Sequence, residues 1–588
     1  MNMIFFHKQS EERTPRRFRL GCLGKTLVGI VIYLLFCMVL GYSFQHMFDT
    51  PETKLVDHSV YCFELKGTVV EQAPADDPFA SLLSEMPNYN IEESVGLDDI
   101  LSNIKLAAGS DQIKGIYLKG GELSVGQASA KAIRDALVEF KKSGKWIIAY
   151  SELYSQTNYY IATAADTIIM SPIGVLSWNG LSAQKMYYTR LLEKLGIEVQ
   201  ILKVGTFKSA VEPFFRTSMS EADYEQTKRY VDGIWDCMKQ GVSEGRGLSI
   251  EELDALADRY MMLQPAEDYV SAGLVDQLMY DGDMDSVLTA LTGTKDYKCF
   301  STKKLAHVKR AELQASDKIA IVYAEGEIVD DSSTGIGGKQ MVKTLRKIEK
   351  DEHVKAVVLR VNSPGGSANA SEYINEAVKR IQRKGVPVVV SMGDLAASGG
   401  YYISSEADYI FAEPNTLTGS IGIFGMVPNI GALRDKVGID IDGFGTNRFS
   451  NLDINAIQKG MNPEERQLMQ RRINAGYELF TQRCAEGRHM SQDSIKAIGE
   501  GRVWLGKDAL ALGLVDELGN IDDAIAKAAA LANMTTYSFA YYPDKHDPMT
   551  ELLKAFDNTT DEEKMIARLC TLVEKPCVLM LADPAVIE

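Results

Sequence analysis

The chain repeats itself. Ile113-Lys-Gly-Ile-Tyr-Leu-Lys119 returns as Val354-Lys-Ala-Val-Val-Leu-Arg360, Tyr159-Tyr-Ile161 as Tyr401-Tyr-Ile403, Gly205-Thr-Phe-Lys208 as Gly445-Thr-Asn-Arg448, and Gly273-Leu-Val-Asp-Gln-Leu278 as Gly513-Leu-Val-Asp-Glu-Leu518. The matches keep their order and a spacing of about 240 residues, the length of a domain rather than of a solenoid repeat. Any fold for this chain must therefore be one that can be built twice. Where the copies differ, chemistry can be divided between them: Ala396-Ala-Ser398-Gly-Gly400 stands against Ser155-Gln-Thr-Asn158, and Lys208 against Arg448. One active site shared by two degenerate halves is the expectation.

Each copy opens on a β-rich segment, Ser59 to Leu65 in the first and Lys318 to Ala324 in the second. Apolar residues at helical spacing follow in Leu97 to Leu106 and in Met341 to Ile348. Short apolar runs then read as buried strands, Gly115 to Leu118 with Trp146 to Ala149, and Ala356 to Leu359 with Val386 to Val390, separated by helical stretches such as Ser371 to Arg383. Strands alternating with helices predict an α/β fold with a largely parallel sheet. The copies are expected at 55–291 and 317–540, joined by a polar, basic linker at 292–316. An insertion rich in Pro, Asp and Ser at 72–93 reads as a surface loop, and the tail 541–588 as an appendage without counterpart in the first copy.

Residues 26–44 form an uncharged, mostly apolar run of the length that crosses a bilayer as one helix. Lys8, Arg13, Arg16, Arg17, Arg19 and Lys25 precede it, and Asp49, Glu52 and Asp57 follow, so residues 1–25 are expected in the cytoplasm and the rest across the membrane. A cleaved signal peptide is the competing reading, but the run is long for one and no Ala-x-Ala-like site follows. A net charge of −17 argues against nucleic acid as a partner, because phosphate binding needs a basic surface. The eight cysteines contain no Cys-x-x-Cys pair, so neither a metal site nor a dense disulfide framework is indicated; a Cys570–Cys577 bridge is conceivable.

Two features carry chemistry. Asn362-Ser-Pro-Gly-Gly-Ser367 follows a strand, and paired glycines there allow positive φ and exposed N–H groups of the kind an oxyanion needs. After the next strand comes Ala396-Ala-Ser398-Gly-Gly400, a serine among small residues at a helix start. Those small residues would also serve close helix–strand packing; the Pro-Gly-Gly turn at a comparable strand end favours the nucleophile. None of the seven histidines falls in a matched motif, so the base is sought in a lysine that burial keeps neutral. Lys208 lies among apolar and aromatic residues in Gly205-Thr-Phe-Lys208-Ser-Ala-Val-Glu-Pro-Phe-Phe215. Alone it would read as a surface charge; its company raises it.

Taken together, Gly205 to Phe214, Asn362 to Gly366, Gly393 to Tyr402, and Gly501-Arg-Val-Trp504 leading to Gly513-Leu-Val-Asp516 resemble the long, membrane-anchored form of the signal peptide peptidase A family, peptidase family S49 in the Clp-protease/crotonase superfamily. The resemblance runs from the membrane segment to about residue 540. It implies tandem Clp-protease/crotonase-like domains, Ser398 as nucleophile, Lys208 as general base, and backbone N–H groups near Gly365, Gly366 and Gly399 for the oxyanion. It further implies a homotetramer, no metal or cofactor, apolar peptide substrates such as signal peptide remnants, and a catalytic body on the periplasmic face of the inner membrane. Two other readings stay open: a crotonase-like acyl-CoA enzyme, and a membrane-tethered assembly protein without turnover. Whether Lys208 and Ser398 meet within one chain or between subunits is left open by the sequence.

Overall fold

The computed structural model describes residues 54–73, 94–308, 315–331 and 335–543. The expected membrane segment 26–44, most of the insertion 72–93, most of the tail 541–588 and the Cys570–Cys577 pair lie outside them. No helix among the described residues is long and apolar enough to cross a membrane.

The first copy supplies β1 (Ser59–Glu64), β2 (Ile113–Lys119), β3 (Trp146–Tyr154), β4 (Thr167–Leu176), β5 (Glu198–Lys203), β6 (Gln277–Leu278) and β7 (Lys298–Phe300). Six of these form one parallel sheet in the order β7-β1-β2-β3-β4-β6; β5 stands apart. The second copy supplies β8 (Lys318–Glu325), β9 (Val354–Ser363), β10 (Val388–Ala397), β11 (Tyr409–Ala412), β12 (Leu417–Gly419), β13 (Phe424–Asn429), β14 (Val503–Leu505), β15 (Glu517–Leu518) and β16 (Ser538–Tyr542). Its sheet follows the same path, β16-β8-β9-β10-β11-β15, again all parallel. The duplication read from the motifs is thus a duplication of topology. β12 extends the far end of β10 and carries β14 antiparallel to it.

The strands form where they do because they are covered on both faces, which requires near-continuous apolar sequence. Ile319, Ala320, Ile321 and Val322 in β8 are all buried. One face of the second sheet packs on α1 (Gly338–Lys350), through Met341, Leu345 and Ile348, and on α2 (Ala368–Arg383), through Ile374, Val378 and Ile381. The other face receives Ala524, Ala528 and Ala529 of Ile521–Leu531 on Ile319, Ile321 and Val358. Each such large apolar side chain contributes about 1.5–3 kcal/mol by leaving water.

Part of the expected linker is not a linker. Lys298–Phe300 is the edge strand β7, Leu305 is fully buried in the first core, and Cys299 is bonded to Cys62 of β1. Thr292 to Asp317 looked polar because an edge strand of three residues carries too little apolar sequence to register as a period.

The two copies are joined closely around the ends of β9 and β10. β5 of the first pairs antiparallel with β13 of the second, Glu198 opposite Asn429 and Lys203 opposite Phe424. Asp394 accepts hydrogen bonds from the N–H groups of Ala128 and Ser129 and from Ser129 Oγ at 2.5–2.9 Å. Arg360 forms a buried bidentate pair with Glu71 and also donates to Ser391 Oγ and the Met392 carbonyl, so neither charge is left without a partner.

Candidate active site

Ser398 occupies the corner between β10 and the short helix α3 (Gly399–Ser404). Its φ of +53° and ψ of −115° are unusual for a residue with a Cβ, at a cost of order 1–3 kcal/mol. The corner is held by Ser398 N–H donating to Gly419 O at 2.9 Å and by Tyr402 N–H donating to Ser398 O at 2.9 Å. The flanking glycines are needed for close approach. A Cβ on Gly400 would lie 2.6 Å from the Ser363 carbonyl, and one on Gly399 would lie 2.7 Å from Ser371 Oγ. The close packing read from Ala-Ala-Ser-Gly-Gly is present, and it is what places the serine.

The Pro-Gly-Gly turn lies against this corner. Gly365 has φ +98° and Gly366 φ +147°, and a Cβ on Gly365 would come within 2.5 Å of Gly399 N. Gly365 N–H donates to Ser363 Oγ at 3.1 Å, whereas the N–H groups of Gly366 and Gly399 have no acceptor among the described residues. Ile328 clamps the turn, its N–H donating to Gly365 O at 2.8 Å and its carbonyl accepting from Ser367 N–H at 2.7 Å.

Lys208 reaches this corner from the other copy. Val204 N–H donates to Ile423 O at 3.1 Å and Phe207 N–H to Glu500 O at 3.0 Å, which seats the loop on the second copy. Gly501, at φ +77°, is what admits it: a Cβ there would lie 2.6–2.8 Å from Lys208 Cβ, Cα and N. Lys208 is only 4% exposed. Its Nζ lies 3.0 Å from Ser398 Oγ, 2.9 Å from Ser420 Oγ, 3.1 Å from Ser420 O and 5.9 Å from the centre of the Phe424 ring. Burial pushes its pKa down to about 7, since desolvation penalises the ammonium form.

Lys208 and Ser398 thus meet within one chain, 190 residues apart in sequence. Ser420 was not singled out by the sequence; it too has a positive φ, +51°, and its hydroxyl lies 3.4 Å from the Gly501 carbonyl. The run Thr418-Gly-Ser-Ile-Gly422 was its one visible signal. The first copy has no such corner. Counting back from the Tyr-Tyr-Ile match, Gln156 stands where Ser398 does and Trp178 where Ser420 does. Ser155 is extended, at φ −63°, and caps its own helix by accepting from Asn158 N–H. Arg448, the counterpart of Lys208, is exposed and paired with Glu464.

The family model of peptidase family S49 matches residues 139–295 and 380–535, once in each copy, and that of Clp protease matches 312–417. The chain is 36% identical over 498 residues to Protease 4 of Salmonella typhi, spanning 82% of this chain and 80% of that protein. It is 35% identical over 538 residues to Protease 4 of Haemophilus influenzae, spanning 87% and 85%. With the chloroplastic serine protease SPPA of Arabidopsis thaliana it shares 30% over 504 residues, spanning 84% and 72%. A family model repeated over both topological copies, and relatives matched along most of their length, establish that the chain belongs to peptidase family S49.

Proposed function

We propose that the chain is a serine endopeptidase in which Ser398 is the nucleophile and Lys208 the general base. The observation that carries this reading is the 3.0 Å approach of Lys208 Nζ to Ser398 Oγ in a buried setting that brings the lysine pKa to about 7. At neutral pH a large fraction of the amine is free to take the serine proton. Attack on a peptide carbonyl forms a tetrahedral oxyanion, for which the N–H groups of Gly366 and Gly399 are the donors, with Gly365 shaping the turn. The proton on Nζ passes to the leaving amine and an acyl-enzyme remains; water deprotonated by the same amine then releases the acid.

The substrates are extended apolar peptides, signal peptide remnants among them. A relative named putative signal peptide peptidase SppA, from Enterococcus faecium, is 30% identical over 243 residues, 40% of this chain, and supports that class. Phe424 and Met426 stand exposed on the strand beside Lys208, an apolar face of the kind such peptides need. Residues 26–44 tether the enzyme to the inner membrane with the body in the periplasm; the Cys62–Cys299 disulfide supports an oxidising compartment. The enzyme works as a homotetramer. Ser398→Ala tests the chemistry: it abolishes fluorophosphonate labelling and peptide hydrolysis while secondary structure persists. Retention of more than about a tenth of wild-type kcat would overturn the assignment.

A further inference from the structure

Helix α1 carries a stripe of charge opposite in sign to the chain as a whole. Lys339, Lys343, Arg346, Lys347 and Lys350 recur at helical spacing on one exposed face, in a chain of net charge −17. Lys339 with Lys343, Lys343 with Lys347, and Arg346 with Lys350 are like charges one turn apart, an arrangement that weakens a helix standing alone. The helix's single carboxylate does not relieve them, because Glu349 is turned to Arg380 of α2. Lys339 reaches Asp331, whereas Lys343, Arg346 and Lys350 have no carboxylate within ion-pairing distance among the described residues. With the half-buried Val342, the five basic side chains line a groove of about 410 Å³.

The first copy fills the equivalent place. Helix Leu97–Gly109 corresponds to α1: both have 13 residues, both follow an N-cap glycine, and Ile100, Leu101 and Ile104 stand where Met341, Val342 and Leu345 do. Edge strand β7 leads through Ser301 into helix Thr302–Ala306, which folds over the first-copy helix. There Asn103 Nδ2 donates to Thr302 O at 2.8 Å, and Leu305 is buried in one cluster with Ile100, Leu101 and Ile104. Leu101 is buried, whereas its counterpart Val342 is only half-buried. Lys298 pairs with Ser59 as Ser538 pairs with Lys318, so Tyr542 is the counterpart of Thr302. The tail therefore leaves the body where the first copy has its cover, and Lys347 Nζ lies 5.4 Å from the centre of the Tyr542 ring. β16 runs parallel to β8, whose far end leads through Val329 to Gly338, so the tail departs towards the Lys339 end of the groove. The signs of charge are exchanged in both partners. The first-copy helix carries Asp98 and Asp99, and its cover Lys303 and Lys304; α1 is basic, and residues 544–563 carry seven carboxylates against two lysines.

We propose that residues 544–563 lie along the groove of α1 in the same chain, an acidic strap on a basic face. The helix is about 20 Å long, a distance that about six extended residues span, so the segment reaches Lys339 from Tyr542 with residues to spare. An exposed ion pair is weak by itself. Here the tether at Tyr542 keeps the carboxylates at high local concentration, and several pairs form along one groove. The contact also separates the like charges of α1 by placing carboxylates among them. It does not depend on the peptidase reading.

The test treats the full-length chain in detergent with a zero-length carbodiimide, which joins an amine to a carboxylate in contact with it. Peptide mass mapping should find Lys339, Lys343, Lys347 or Lys350 joined to carboxylates between 544 and 563, with a yield at least about fivefold lower at about 1 M salt than at about 0.1 M. Lys343→Glu combined with Arg346→Glu should lower the yield at the remaining lysines by a similar factor, with an unchanged circular dichroism spectrum. Adding Glu562→Lys and Glu563→Lys to that variant should restore linkage of the two segments. Absence of such links, or links indifferent to the charge reversal, would overturn the inference. So would links between light and heavy chains in a mixture of isotope-labelled and unlabelled protein, which would give the groove to a second copy. Links lost on adding phosphatidylglycerol vesicles, and kept with phosphatidylcholine ones, would overturn it in favour of an anionic membrane surface.

Discussion

Ser420 meets Lys208 twice: Nζ lies 2.9 Å from its hydroxyl and 3.1 Å from its carbonyl oxygen. A neutral amine has two N–H bonds and one lone pair. With both N–H groups directed to Ser420, the lone pair is left for the hydroxyl of Ser398. An ammonium has no lone pair and would donate to Ser398 instead, so the same three contacts are productive in one protonation state and unproductive in the other.

Ser420→Ala removes one acceptor and keeps the carbonyl. A neutral hydrogen bond contributes about 1 kcal/mol, so kcat should fall by about five- to tenfold with KM little changed. Steady-state kinetics on a peptide ester would show this; an unchanged kcat would mean that the carbonyl alone orients the amine.

Lys208→Arg should be as inactive as Lys208→Met, about a thousandfold or more below wild type, because arginine keeps its charge at any usable pH. Single-turnover acylation by a fluorophosphonate distinguishes the outcomes. Acylation of the arginine variant at a rate near wild type would remove Lys208 from the role of base.

Acylation should rise with pH along a limb centred near the Lys208 value of about 7, and vanish in Lys208→Met. The same depressed pKa has a stability consequence. Between about 7 and the ordinary lysine value the unfolded chain binds more protons than the folded one, so folding stability rises with pH across that window. Below it the buried ammonium is destabilising by an amount on the order of a few kcal/mol. Lys208→Met should therefore be more stable than wild type at pH 6, and the gap should narrow towards pH 10 in denaturant titrations.

Gly501→Ala places a methyl group within 2.6–2.8 Å of the Lys208 backbone and Cβ without touching Ser398. The expected result is a fall in kcat of about a hundredfold with Ser398 still in place, as displacement of a catalytic group by about 1 Å produces. A crystal structure of the variant would show the lysine displaced; wild-type kinetics would refute the steric account.

Cys62→Ser should lower stability by about 2–5 kcal/mol, because the bond closes a loop spanning most of the first copy. The site lies elsewhere, so the melting temperature should drop while kcat at 25 °C is retained. Wild-type enzyme melted with and without reductant provides the matching control.

The sequence alone determined the duplication, the alternation of strands and helices and the serine in its small-residue corner. These are local facts: periodicity, apolar runs and glycine pairs register within a few tens of residues. Lys208 was legible only through its neighbours in the motif. Its partners Ser420 and Gly501, the edge strand at Lys298 with its disulfide to Cys62, and the Arg360–Glu71 pair were decided by tertiary structure. Each depends on groups brought together across hundreds of residues, and no local pattern encodes a contact between two chain segments. The pKa of Lys208 is the sharpest case. The same lysine would be a solvated cation on an open loop; only packing against Gly501 and Phe424 removes the water that would keep it charged.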